Sequence, residues 1–79
     1  MDPRIVVEIG RYVLAHPHGA DTLEGVVSWW LPADLAQSAS PGEVERALQE
    51  LVGRGLIEQR PLPSGQVFYA VAPAKGSTP

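Results

Sequence analysis

The stretch from Ser40 to Glu58 constrains this chain more than any other, because it prescribes a capped helix running straight into an extended ribbon. In Ser40-Pro41-Gly42-Glu43 the serine hydroxyl can accept from the backbone N–H three residues on, while the glutamate reaches back to the serine N–H. Proline directly after the cap suits that position, where a backbone N–H has no partner inside the helix. Val44, Ala47, Leu48, Leu51 and Val52 follow at helical spacing and make one apolar stripe. Gly53 and Gly55 bracket the end, and one of them is expected in the left-handed conformation that glycine tolerates. Leu56 to Arg60 and Gln66 to Val71 read as strands, and Pro61-Leu62-Pro63-Ser64-Gly65 between them is turn chemistry. A β-hairpin is therefore predicted, with Val67, Tyr69 and Val71 on one face of its second strand and Phe68 and Ala70 on the other.

Two further helices are predicted upstream. Asp2 caps the first and Pro3 opens it. Ile5, Val6, Ile9, Tyr12 and Val13 give it a buried side, whereas Arg4, Glu8, Arg11 and Ala15 form a solvent stripe. It is expected to run from Pro3 to Ala15 and to stop at His16-Pro17-His18-Gly19. For the second helix, Asp21 is the expected cap with Glu24 reaching back, and Leu23, Val26, Val27 and Trp30 make the stripe. Leu31-Pro32 closes it. Pro32 to Ala39 is read as a linker into the third helix. Gly10 and Gly25, each inside a helix, are expected to mark close helix–helix approach.

At 79 residues the chain has room for one domain, expected over residues 1–72, with 73–79 as a disordered tail. The expected class is mainly α with a small β-hairpin, an α+β arrangement. With no cysteine, neither a disulfide nor a zinc site built on thiolates can staple it. Glu8 and Arg11 interrupt the first apolar stretch, so neither an export signal nor a membrane span is expected, and a bacterial-type cytoplasm is the expected compartment.

The run from Val44 through Arg46, Gln49 and Glu50 to Gly53-Arg54-Gly55-Leu56-Ile57-Glu58 resembles the recognition helix, Gly-Leu-Ile and wing of winged helix-turn-helix domains. Tyr69-Ala70-Val71 resembles the aromatic-containing last strand of that wing. In element order the resemblance spans Pro3 to Ala72, although the specific motif covers only the third helix and the wing. It implies a three-helix winged-helix domain. In the DNA-binding members of that superfamily the third helix enters the major groove and the wing touches phosphate. Carried onto this chain, that implies a groove-facing surface of Glu43, Arg46, Gln49, Glu50 and Gly53, with Arg54 and Arg60 at its edge.

Charge opposes the DNA role. Nine acidic residues against six basic ones leave a net charge of −3, and Glu43, Glu45 and Glu50 outnumber Arg46 and Arg54 on the third helix. An acidic helix meets repulsion from phosphates where a basic one gains from counterion release. Arg46, Arg54 and Arg60 are expected to act as solvated partners of Glu50 and Glu58. The preferred reading is thus a protein-interaction or adaptor domain, with a protein partner or a homodimer, and Trp29, Tyr12, Glu43 and Glu50 as candidate contacts. The alternative is a DNA-binding transcriptional regulator using Arg46, Gln49, Arg54 and Arg60. Trp29 itself admits two readings: packed at the edge of the first helix or under the wing, or exposed as a partner's anchor.

No catalytic or cofactor site is expected. The serines lack a nucleophile elbow, no glycine-rich phosphate loop follows a strand, and so short a chain has little room for an enzyme-sized cavity. His16 and His18 near Asp21 and Glu24 match no established metal spacing.

Overall fold

A computed structural model describes residues 2–72. Helix α1 (Pro3–Ala15) begins where the Asp2 carboxylate accepts from the Arg4 N–H at 2.9 Å. It buries Ile5, Ile9 and Val13 and turns Arg4, Arg11 and Ala15 to solvent. Strand β1 (Ala20–Thr22) follows, then the short helix α2 (Leu23–Gly25), which widens into a π turn over Val26–Trp30. Helix α3 (Ala33–Ser38) and helix α4 (Pro41–Gly53) lead into β2 (Ile57–Pro61) and β3 (Val67–Val71). The architecture is α+β, with an antiparallel three-stranded sheet in the order β1-β3-β2.

Helix α4 and the hairpin match the sequence reading closely. The Ser40 hydroxyl accepts from the Glu43 N–H at 3.2 Å, and Glu43 Oε1 accepts from the Ser40 N–H at 3.0 Å. At the other end, Gly55 takes a φ of 79°, the Leu56 N–H donates to the Leu51 carbonyl and the Gly55 N–H donates to the Val52 carbonyl. That pair of bonds is a Schellman ending, and it needs a residue free to adopt positive φ at this place. The chain therefore leaves α4 in a fixed direction and enters β2 two residues later.

Four expectations need correction. Pro32 to Ala39 is not a plain linker, since Ala33–Ser38 is helical and buries Leu35. Six residues with one buried side chain carry no period to read. Among the described residues the helical segments consequently number four, not three. Second, the hairpin gains a third strand, β1, which pairs Asp21 with Tyr69. Third, the cap of α2 is Thr22 and not Asp21: the Thr22 hydroxyl accepts from the Gly25 N–H at 3.4 Å, while Asp21 Oδ1 accepts from the Thr22 N–H.

The fourth correction concerns the glycines, neither of which serves helix–helix approach. A Cβ on Gly25 would run into the Asp21 carboxyl group. Around Gly10 there is open space. Alanine at position 10 therefore gains helix propensity without a steric penalty, and Gly10→Ala is expected to stabilise the domain by about 0.5–1 kcal/mol. A thermal melt checks this, since no rise in Tm would show that the helix gains nothing from alanine at position 10.

The core lies where α1 crosses α4. Ile5, Ile9 and Val13 join Val44, Ala47, Leu48 and Leu51, with Val26 and Trp30 from the π turn and Ile57 and Tyr69 from the sheet. No polar side chain is buried among the described residues, so apolar packing and backbone bonding hold the fold. No described helix is long and apolar enough to cross a membrane. The expected tail, 73–79, lies outside the described residues.

Candidate functional site

The outward side of α4 carries Glu45, Arg46, Gln49, Glu50 and Gly53, all exposed, so the surface implied by the resemblance, Glu43 excepted, is presented to solvent. Its charges largely cancel locally. Arg54 Nη2 lies 2.6 Å from Glu50 Oε2, one turn back on the helix, and Arg60 Nη2 lies 3.0 Å from Glu58 Oε1 on β2. Arg46, expected to share those carboxylates, makes no ion pair among the described residues, because Arg54 and Arg60 take them. A continuous cationic stripe is absent from this surface.

Glu43 is half-buried and committed to the cap. The Ser40 backbone N–H bonded to it holds its carboxyl below the ordinary glutamate range. The contribution of that bond to folding is complete above the ordinary range and is lost as pH falls through the lowered value. Glu43→Gln, which keeps an acceptor but removes the titration, is expected to flatten part of the fall in Tm from about pH 5 downwards. Asp2, held low by its bonds to the Arg4 side chain, leaves a residual slope. An unchanged acid limb in the variant would show that ionisation of Glu43 contributes nothing measurable to it.

The two tryptophans have opposite fates. Trp30 is buried, and Trp29 is 76% exposed. Neighbouring helical residues point about 100° apart, so burying one ring on the core side forces the other off it. The reading of Trp29 as a packed ring is thereby overturned. Tyr12 is not a free aromatic: its ring stacks on Trp30 at 4.6 Å and on His16 at 3.9 Å between centroids. His16 Nδ1 also sits 3.1 Å from the Tyr12 carbonyl oxygen, which ties the imidazole to the end of α1. Among the described residues, no group of three or more His, Cys, Asp or Glu side chains could hold a metal ion.

One feature of the surface was not expected from the sequence. An open groove of about 830 Å³ runs between the end of α1, the Arg54–Leu56 turn and the sheet. Leu14 on its rim is 83% exposed, and Leu56 is also exposed. Ala20, Ala70 and Ala72 line it from the sheet side, their small side chains leaving the concavity unfilled. A signal did exist: Leu14, like Val7, is a large apolar residue lying off the buried stripe of α1. Trp29 is not among the lining residues, so the molecule presents two separate apolar features.

No protein family, curated protein or solved structure matches the chain.

Proposed function

We propose that this chain is a non-catalytic binding module of winged-helix type whose ligand is a protein surface, engaged through Trp29. The observation that carries this reading is the 76% exposure of the Trp29 indole beside a buried Trp30. An indole in water is the kind of group that dominates the energetics of protein interfaces once a partner covers it. The element order supports the winged-helix part, since a capped α4 ends in a Schellman turn and feeds a β-hairpin. The division of the helical region between α1 and α4 into two segments departs from the expected three-helix form.

Electrostatics weigh against the alternative, a DNA-binding regulator. Three glutamates share the helix, and Glu50 and Glu58 stand beside two of the three arginines, so a continuous phosphate backbone laid there meets carboxylates as well as guanidiniums. The non-catalytic part rests on chemistry: His18 brings the one imidazole to the groove lining, and no carboxylate, hydroxyl or thiol side chain stands beside it there.

Two measurements test the proposal. Titration with a short labelled DNA duplex at low salt is expected to show no saturable binding. Binding that weakens with salt and is lost in Arg46→Glu would replace the protein-partner reading with the DNA one. Chemical cross-linking in cell extract, compared between the native chain and Trp29→Ala, is expected to yield a partner from the first and not from the second.

A further inference from the structure

We propose that the groove beside α1 is a second binding site, which takes a short peptide segment combining apolar side chains with a carboxylate. The inference rests on the protein-interaction reading above and names a ligand class that Trp29 alone does not.

Charge selects the occupant. The chain carries a net charge of −3, yet the ionisable side chains lining this groove are Arg54, Arg60 and His18, with no aspartate or glutamate among the described lining residues. The arginines are not spent. Their partners Glu50 and Glu58 lie outside the lining, and the two guanidinium-bearing side chains keep 62% and 64% of their surface exposed. Each guanidinium has five N–H donors in a planar fork, so a contact to one carboxylate leaves others for an incoming one. Exposed ion pairs of this kind are weak, and a ligand carboxylate can compete for the fork.

Shape selects the rest. Leu14 and Leu56 protrude on the rim, where covering them removes apolar surface from water. Ala20 and Ala70 face each other across β1 and β3, leaving room above the sheet for side chains from outside. The trough is open, which suits a strip of chain laid along it better than an enclosed small molecule. A basic or purely polar segment would leave the leucines wet and meet like charge.

A random heptapeptide library displayed on phage, selected against the full chain, tests this. Enriched sequences are expected to place Asp or Glu within a few residues of Leu, Ile, Phe or Met. The synthetic form of an enriched peptide is expected to shift the amide NMR signals of Leu14, Gly19, Gly55 and Ala70 to Ala72. Its affinity is expected to fall about tenfold or more in Arg54→Glu/Arg60→Glu and in Leu14→Asp, and to stay unchanged in Trp29→Ala. Two independent surface variants guard against a folding defect in one of them.

Enriched peptides without acidic residues, or binding indifferent to the charge reversal, would overturn the proposal. So would the same amide shifts produced by a DNA duplex, or by self-association that Leu14→Asp abolishes, since these assign the groove to nucleic acid or to a second copy. Failure here leaves the role of Trp29 standing, and loss of cross-linking in Trp29→Ala is read independently of the peptide.

Discussion

Leu48→Ala is expected to destabilise the domain by about 3 kcal/mol, within the lower half of the range for a leucine truncated in a packed core. Leu48 is fully buried on the inward side of α4, in the cluster that joins that helix to α1. The removed atoms lose their apolar surroundings, and the neighbours collapse only partly into the space. For a chain of 79 residues the whole folding free energy is of order 4–12 kcal/mol, so this one change removes a quarter or more of it. At about 4–8 °C per kcal/mol for domains of this size, Tm should fall by roughly 12–24 °C in a calorimetric or circular-dichroism melt. Gln49→Ala, the neighbouring exposed position, is the control and should stay within about 0.5 kcal/mol of the native chain. A Leu48→Ala loss no larger than the control's would mean that α4 does not pack on α1 as described.

The elements that could be read from sequence are those whose ends carry their own chemistry. Ser40 with Glu43 announces the start of α4 and Gly55 its end, while Asp2-Pro3 does the same for α1. Each of these devices is local, satisfied within a few residues, and independent of the remainder of the fold. β1 could not be read this way, because three residues make no alternation and its pairing partner, Tyr69, is far along the chain. Asp21 looked like the cap because it stands three residues before Glu24, but the helix starts one residue later, with Thr22 as its cap. For α3, one buried leucine among six residues gives no period, and only the surrounding core makes those turns worth forming.

The candidate surfaces divide along the same line. Adjacent tryptophans on one helix must point apart, so the sequence required that at least one of them sit off the stripe. Whether a neighbour then covered Trp29 depended on chain connectivity that no local pattern encodes. The groove is further still from sequence, being assembled from the end of α1, the exit of α4 and three alanines on two strands and beyond. Its cationic lining is invisible in a composition that is acidic overall. Net charge describes the whole chain, and recognition is decided by the few groups that line one concavity.

Trp29→Ala is expected to weaken binding to a protein partner about 30-fold or more while leaving the fold intact. The two halves of that statement have different origins. Truncating an indole that a partner buries commonly costs 2 kcal/mol or more, and about 1.4 kcal/mol corresponds to each tenfold in affinity. Folding, by contrast, gains little from a ring that is 76% in water, so the Tm change should stay within about 0.5 kcal/mol in equivalent free energy. Trp29→Phe separates bulk from identity, since it keeps an aromatic face but loses the indole N–H, and it should recover part of the affinity. The same variant leaves Trp30 as the sole indole, so its fluorescence should lie to the blue of the native protein's mixed emission. Isothermal titration of a partner identified by cross-linking measures the first effect, and a melt measures the second. Equal affinity in both variants and the native chain would leave the exposed indole without a role and return the α4 surface, with Arg46 at its centre, as the place to look.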